Sequence, residues 1–377
     1  MNARINVDEL LADPHTHTIV CCGSGGVGKT TTAAALGLRA AESGRNVCVL
    51  TIDPARRLAQ AMGLDGLDNT PRSVGGTSGG GRLDAMMLDM KRTFDEIVEA
   101  HADPVRAKQI LENPFYQALS TSFAGTQEYM AMEKLNQLRH EAIAEGTWDL
   151  IVVDTPPSRS ALDFLDAPKR LGTFLDSRFL RVLLAPARGS GRGALRAFSA
   201  GLGAVTGVLH RILGAQLLAD LRTFVSALDA MFGGFRERAE ETYSALQAPG
   251  TAFLVVAAPE PDALREASYF VDRLATEKMP LVGLVLNRVT VSEARGLSAE
   301  RAGGAAAGLR EQGSDPTLAG LLEVHADRMR RIDREKTLIE GFAAVHPSVP
   351  QAVSPALAGD VHDLDGLRQV GEALART

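Results

Sequence analysis

Residues 23–30 read Gly-Ser-Gly-Gly-Val-Gly-Lys-Thr, which matches the pattern G-x-x-x-x-G-K-T of a phosphate-binding loop. The preceding stretch, Thr18 to Cys22, is short and favours a β-strand, whereas residues 31–41 have the composition of a helix. A strand, a glycine-rich loop and a helix in this order form the context in which the motif binds phosphate. The sequence therefore predicts a nucleotide site here rather than a glycine turn that matches by chance.

The residue types of this loop predict how it holds an anion. Glycines let successive backbone N–H groups turn inward at a helix N-terminus, where the helix dipole adds positive potential. Lys29 is expected to reach the β- and γ-phosphates, and the Thr30 hydroxyl to ligate Mg²⁺. The residues predicted to contact the nucleotide are Gly25, Gly26, Val27, Gly28, Lys29, Thr30 and Thr31. A Rossmann-type dinucleotide site is less favoured, because the G-x-G-x-x-G spacing is missing.

Composition and charge narrow the class of protein. The 377 residues are 45% hydrophobic and 23% charged, with a net charge of −6 and no basic tract, so no nucleic-acid partner is expected. Residues 1–13 lack the apolar core of a signal peptide, and the apolar stretch 202–218 is interrupted by His210 and Arg211. We expect a cytoplasmic protein that reaches a membrane only through a partner.

The three cysteines, Cys21, Cys22 and Cys48, fall in two predicted strands beside the loop. Buried cysteine behaves as a small hydrophobic residue, so core packing is the favoured interpretation. Because neighbouring residues of a strand point to opposite faces, Cys21 and Cys22 are not expected to bind one metal together.

Alternating strands and helices predict an α/β fold with a doubly wound, mostly parallel sheet. The predicted strands are Thr18–Cys22, Val47–Ile52, Leu83–Leu88, Leu150–Val153, Ala252–Ala257, Val282–Leu286 and a late one near Val349–Val353.

A single phosphate-loop domain is predicted over residues 1–377, with a helical insertion at about 160–247 and mobile surface loops at about 69–82 and 291–315. Within the insertion, apolar residues recur every three or four positions from Leu217 to Phe235, which places them on one helix face. This stripe is interpreted either as packing against neighbouring helices or as a surface for a partner helix.

Two carboxylates are expected to join the loop. Asp53 follows the second predicted strand, and Asp154 follows the strand at residues 150–153. The carboxyl ends of parallel strands meet at one sheet edge, where the loop also lies. Both are expected to reach Mg²⁺ through water: Asp154 suits the position that holds a water of the ion's shell, and Asp53 suits the role of positioning the attacking water. Either could instead cap a helix.

These motifs resemble those of the ArsA and GET-type ATPases, the family of arsenite-pump and tail-anchored-protein targeting ATPases. The resemblance is closest to a bacterial branch named anion-transporting ATPase. The residues that carry it are G-S-G-G-V-G-K-T-T-T from Gly23, D-P-A-R-R-L-A-Q-A-M-G-L from Asp53, G-T-Q-E-Y-M-A-M-E-K-L from Gly125, D-T-P-P-S-R-S-A-L-D-F-L from Asp154 and L-V-L-N-R-V from Leu284.

The resemblance implies a deviant Walker A loop on a SIMIBI-type NTPase fold. It further implies that Asp53 orients the lytic water, that Asp154 senses the γ-phosphate together with Mg²⁺, and that Asn287 recognises adenine. ATP and Mg²⁺ are the implied ligands. The implied assembly is a nucleotide-sandwich dimer whose helical insertions rearrange during ATP binding and hydrolysis.

The sequence departs from the family pattern at several positions. No C-x-x-C pair is present, so zinc is not expected, and the insertion contains no cysteine that could bind a metalloid. Family members carry a lysine at the second loop position, where it crosses to the nucleotide of the opposite subunit, whereas this chain has Ser24. Arg56 and Arg57 could contact phosphate in its place. Alternatively, a paralogous subunit that retains the lysine could form a heterodimer with this chain instead of a homodimer.

Together, these features predict a Mg²⁺-dependent ATPase whose turnover drives a conformational change. The first interpretation is the ATPase component of an anion or detoxification transport system with a membrane subunit. The second is a cytosolic carrier for hydrophobic helices of membrane proteins. A positioning ATPase of the MinD/ParA type is less favoured, because the segment from Leu364 to Thr377 is too short and mixed for a membrane anchor.

Overall fold

The computed structural model describes residues 3–53, 57–113, 116–117, 126–156, 237–294 and 296–376. The strands are β1 Thr18–Cys22, β2 Val47–Thr51, β3 Arg72–Ser73, β4 Leu83–Met87, β5 Leu150–Asp154, β6 Thr251–Ala257, β7 Leu281–Val289 and β8 Gln351–Pro355. The helices are α1 Val7–Ala12, α2 Lys29–Glu42, α3 Arg57–Ala61, α4 Met90–His101, α5 Pro104–Leu111, α6 Thr126–Glu145, α7 Pro261–Thr276, α8 Ala299–Glu311, α9 Pro316–Val345 and α10 Leu364–Ala375. Residues 237–247 are also helical.

The strands form one sheet in the order β3-β4-β2-β5-β1-β6-β7-β8. All neighbouring pairs are parallel except β3 with β4. Every predicted strand is present, with small differences at the strand ends, and the α/β class with a mostly parallel sheet is confirmed. Only the short antiparallel strand β3 lies outside the prediction. Its two exposed polar residues carry no apolar alternation that could have indicated a strand.

One main core lies between the sheet and helices α2 and α10. It combines Ile19 and Cys21 of β1 with Leu36 of α2 and with Leu367 and Leu374 of α10. Each such fully buried aliphatic side chain contributes about 1.5–3 kcal/mol relative to leaving it exposed. The apolar side of α10 is therefore used in the core.

The chain divides into two compact units. The first unit consists of Met1–Leu88, Leu138–Leu162 and Ala245–Thr377 and contains the whole sheet. The second consists of Asp89–Gln137 and Asp163–Ser244. The predicted insertion at 160–247 lies outside the described residues except for its last turns, and the Leu217–Phe235 stripe lies wholly outside them, so both remain predictions.

Charged side chains are buried in the described part of the second unit. Arg238 donates from Nε to Oε1 of the buried Glu133 at 2.7 Å, and the buried Lys134 pairs with Glu96 at 3.1 Å. Glu133 and Lys134 belong to the segment that begins at Gly125, whose first residue lies outside the described ranges. Because each buried charge has an opposite partner, these residues have a structural role in this unit.

Residues 291–315 differ from the predicted loop, since α8 occupies Ala299–Glu311. The Ser298 side chain caps this helix by accepting from the Arg301 N–H, and Ala302 and Ala306 are buried as α8 packs along α9. Alanine is the strongest helix former, and it outweighs the glycines that suggested a loop. Within residues 69–82, β3 is the only regular element, and the mobility of this loop stays a prediction.

Among the described residues, no helix combines the length and apolar character needed to cross a membrane.

Candidate functional site

The phosphate loop connects β1 to α2 and takes its shape from glycines with left-handed backbone angles. Gly26 has φ +76° and Gly28 has φ +92°, which other residues adopt only with strain. Gly28 is the N-cap of α2, and its carbonyl accepts from the Thr32 N–H at 2.9 Å. The first N–H groups of the helix are therefore directed toward the loop, as the anion-binding interpretation requires.

Asn287 fixes the loop from the neighbouring half of the sheet. Its amide Nδ2 donates to the carbonyl of Val27 at 2.8 Å, and Asn287 itself is buried. A Cβ atom at Gly28 would lie 2.1 Å from this same nitrogen. Glycine at position 28 is thus required both by its backbone angle and by the space that Asn287 occupies.

Lys29 is the buried cation of the loop. It is only 5% exposed, and its Nζ donates to the Ser24 carbonyl at 2.8 Å. Burial lowers the pKa of Lys29, while the nearby carboxylates of Asp154 and Asp53 oppose that shift. The lysine side chain thus folds back onto the loop, where its ammonium group contacts the Ser24 carbonyl.

Asp154 lies at the end of β5 and is fully buried. Its Oδ2 accepts from the hydroxyl of Thr30 at 2.7 Å and from that of Thr51 at 2.9 Å. Its Oδ1 is also buried and has no hydrogen-bond partner among the described residues. Burial raises the pKa of Asp154 to about 6, although the two hydroxyls and Lys29 act in the opposite direction.

Asp53 lies two residues beyond the end of β2 and is half-buried. Its backbone N–H donates to Oγ1 of Thr51 at 3.2 Å, so one threonine contacts both strand-end segments. Residues 54–56, including Arg56, lie outside the described ranges. Asp53 therefore flanks the loop as predicted, and it faces more open space than Asp154 does.

A cleft of about 1850 Å³ opens in front of the loop. Of the predicted residues, the cleft lining includes Gly26, Gly28, Lys29, Thr30, Thr31, Asp53 and Asn287. Three other predicted residues are not in the lining: Gly25 is exposed on the loop, the Val27 side chain belongs to the core, and the fully buried Asp154 accepts from the Thr30 hydroxyl. The lining also includes residues that sequence analysis missed, namely Arg288, Thr290, Arg328, Arg331, Arg334 and Ser354.

The missed residues carried different amounts of signal. Thr51 precedes Asp53 by two residues at a strand end, which could have identified it as a hydroxyl at the sheet edge. The arginines of α9 lie far from every motif in the sequence. Only the tertiary packing of α9 beside β7 brings them to the cleft.

The three cysteines are buried, as the packing interpretation predicted. Cys21 belongs to the core cluster around α2, and the Cys22 thiol approaches the carbonyl of Leu254 at 3.7 Å. Burial raises the pKa of Cys21 well above its ordinary value and that of Cys22 to about 12. These two thiols therefore stay protonated at neutral pH and are poor ligands for a soft metal.

Comparison with known proteins gives a family match and several relatives. Residues 16–298 match the family described as Anion-transporting ATPase. The chain is 30% identical over 153 residues to "ATPase GET3" of Malassezia globosa, covering 41% of this chain and 43% of that protein. It is 29% identical over 187 residues to a "Putative arsenical pump-driving ATPase" of Halobacterium salinarum, covering 48% of this chain and 28% of the relative.

A longer alignment joins the chain to "ATPase ARSA2" of Chlamydomonas reinhardtii, with 27% identity over 282 residues, or 73% of this chain and 68% of that protein. The matched stretches of the first two relatives span less than half of their lengths. The family match begins two residues before β1 and extends over most of the chain, up to the residue that caps α8. On that match, the chain belongs to the Anion-transporting ATPase family, ArsA_ATPase.

Proposed function

We propose that this chain binds ATP at the phosphate loop and hydrolyses it to ADP and phosphate. The observation that carries the proposal is the contact between the loop and β5. There Thr30 donates to the buried Asp154, whose second oxygen has no partner among the described residues. The second oxygen of this buried carboxylate needs a partner and lies beside an anion-binding loop. Such a group suits a hydrated cation that accompanies a polyphosphate.

The donor set fits Mg²⁺. This ion prefers hard oxygen ligands, keeps several waters and is bound through one or two carboxylates together with substrate phosphates. Thr30 offers a hydroxyl oxygen, and Asp154 offers an open carboxylate oxygen for a water of the ion's shell. When bound, Mg²⁺ neutralises charge on the phosphates. Asp154 attracts the ion only when its carboxyl is deprotonated, and the positive charge of the ion favours that form.

Each remaining residue of the site has a role that follows from its position. The loop N–H groups and Lys29 bind the phosphates, with the Lys29 ammonium exchanging the Ser24 carbonyl for phosphate oxygen. Asp53 is half-buried and lines the cleft, so it accepts a hydrogen bond from the attacking water. The water oxygen bonds to the γ-phosphorus as the bond from that phosphorus to the β–γ bridging oxygen breaks. ADP leaves with that oxygen, one proton of the water stays on the phosphate product, and the other passes to solvent past Asp53.

Asn287 supports this chemistry by positioning the loop. One of the two N–H donors of its Nδ2 is used by the Val27 carbonyl, which leaves the second N–H and the amide oxygen for a contact with adenine. We keep adenine recognition by Asn287 as part of the proposal, through these two groups.

For the process that hydrolysis drives, we propose anion transport by a dimer that acts with a membrane subunit. The family description and the pump-driving relative support this choice. The buried, protonated thiols favour a substrate other than a thiolate-bound metalloid. The carrier alternative depends on the Leu217–Phe235 stripe, outside the described residues. For a MinD/ParA-type role, α10 would have to leave the core in which its apolar side is buried.

The proposal is tested by replacing Lys29 with alanine in the full chain. We expect ATP binding to weaken on the order of a hundredfold or more, with loss of hydrolysis, because a buried charge-assisted contact to phosphate is removed. Isothermal titration and phosphate release measure the two effects. Lys336→Ala is the matched control, since Lys336 is exposed on α9 and does not line the cleft. Hydrolysis by Lys29→Ala at the unaltered rate would refute the proposal.

A further inference from the structure

Helix α9 forms one wall of the cleft and is anchored to the residue that follows β7. The buried Glu335 accepts from both the N–H and the hydroxyl of Thr290, each at 2.7 Å. The same carboxylate accepts from Arg331 Nε at 2.8 Å. Thr290 lies three residues beyond Asn287, so α9 is joined to the strand that holds the loop. This wall lies beyond residues 16–298, to which the family match extends.

Arginines from α9 and from β7 line the cleft. Among the described residues, Arg288, Arg328 and Arg334 form no ion pair, although all three line the cleft. By contrast, Arg330, which points elsewhere on α9, pairs with Asp327. The acidic residues of the lining are Asp53 at the loop, Asp327, which is paired, and Asp360. A chain of net charge −6 thus concentrates positive charge in its cleft.

A buried hydroxyl on β8 also lacks a partner. Ser354 is only 1% exposed and lines the cleft, yet its Oγ makes no hydrogen bond to any described residue. Burying a hydroxyl without a partner is costly, so such groups are expected to have a ligand. Beside Ser354, the pairing of β7 with β8 is irregular between Leu286 and Val289, and Arg288 has a left-handed φ of +58°. Strained residues of this kind concentrate at binding sites.

From these contacts we infer that the cleft contains a second subsite, formed by Arg288, Arg328, Arg334 and Ser354, that binds a phosphate-type oxyanion. Guanidinium groups present planar pairs of donors that match phosphate oxygens, and the serine hydroxyl adds a donor. The cleft volume of about 1850 Å³ exceeds the roughly 300–1,000 Å³ of ordinary ligand sites, so a nucleotide leaves room for a further anion. The subsite rests on the proposed function only in that the loop takes the nucleotide.

The oxyanion could be carried on the ribose of the bound nucleotide or be free in solution, and two probes separate these sources. Adenosine 3′,5′-bisphosphate is compared with AMP, and inorganic phosphate is titrated into the chain saturated with ADP. In the unaltered chain, we expect either tighter binding of the bisphosphate than of AMP or saturable binding of phosphate. Absence of both effects in calorimetry would overturn the inference.

The double variant Arg328→Gln with Arg334→Gln identifies the residues responsible. We expect the bisphosphate preference or the phosphate affinity to fall on the order of tenfold, while ADP affinity changes little. Lys336→Gln removes a charge from the same helix, and because neither Lys336 nor its partner Glu340 lines the cleft, it should leave both unchanged. An equal loss in Lys336→Gln would mean a general charge effect, and no loss in the double variant would exclude these arginines; either result overturns the inference.

Failure of the subsite is distinguishable from failure of the proposed ATPase activity. Hydrolysis that is insensitive to Lys29→Ala would refute the activity and leave the comparison of bisphosphate with AMP valid. If the double variant binds the bisphosphate and phosphate as the unaltered chain does, the subsite is refuted. The effect of Lys29→Ala on hydrolysis would still stand.

Discussion

Two carboxylates at the same edge of the sheet have opposite surroundings. Asp154 ends β5, is fully buried and accepts from two hydroxyls, whereas Asp53 follows the adjacent β2, is half-buried and faces the cleft. Thr51 is paired in register with Asp154 and also contacts Asp53 through its backbone. Burial therefore fixes the first carboxylate in one geometry, while the second keeps access to water.

This difference explains why the two acids suit different tasks. A carboxylate held by two hydroxyls has little freedom and is suited to orient a ligand of fixed geometry. A partly solvated carboxylate can meet a mobile water molecule. The two carboxylates therefore occupy the same place in the sequence pattern, each after an apolar strand, but their surroundings suit different chemistry.

The largest expected effect concerns the cost of burying Asp154. Its pKa is raised from an ordinary 3.8 to about 6, so the folded state binds more protons than the unfolded state between these values. Stability therefore falls as pH rises through this window, and the cost, about 3 kcal/mol, is complete above pH 6. We expect Asp154→Asn to stabilise the ligand-free chain by up to this amount at pH 7.5, while abolishing hydrolysis.

Urea denaturation at two pH values measures this effect. The difference in free energy of unfolding between Asp154→Asn and the unaltered chain should fall to less than about 1 kcal/mol at pH 4, where the unaltered carboxyl is protonated in the folded state. If this difference is the same at both pH values, or if the variant is the less stable protein at pH 7.5, burial of the charged Asp154 does not destabilise the chain.

A smaller effect is expected at Asp53. Asp53→Asn should retain ATP affinity and reduce turnover about tenfold or more, because the amide keeps the shape of the side chain but is a poorer acceptor for the attacking water. Single-turnover hydrolysis and nucleotide titration separate the two quantities. Asp65→Asn, at an exposed acid outside the cleft, controls for the change in net charge. Unchanged turnover in Asp53→Asn would remove the distinction between the two acids.

The smallest expected effect comes from a variant that keeps both carboxylates and adds a cation. Ser24 is buried, and its carbonyl is used by Lys29, so its short side chain supplies no charge to a neighbouring subunit. We expect Ser24→Lys, or mixing with a lysine-bearing paralog, to raise ATP turnover severalfold, because a cation offsets charge on the departing phosphate. If the isolated chain already turns over as fast as both, a cation in trans is unnecessary.

Sequence reasoning succeeded where the signal is local. The strands alternate with helices and carry continuous apolar runs, and the glycine pattern specifies the loop, so the sheet and the Lys29 region were predictable. Sequence reasoning was less successful where packing between distant segments determines the contacts of a residue. The Asn287 contact with Val27, the docking of Glu335 on Thr290 and the arginines of α9 depend on segments distant in sequence. In α8, helix propensity and packing on α9 overrode the glycine-rich composition.

The contact between Asn287 and the Val27 carbonyl joins residues 260 positions apart. β1, which leads into the loop, likewise has β6 as one of its two neighbours. During synthesis, the glycine motif leaves the ribosome before β6 and β7 do. A nascent chain therefore carries the motif before the loop can acquire its final shape, and the nucleotide site is complete only once β7 has emerged.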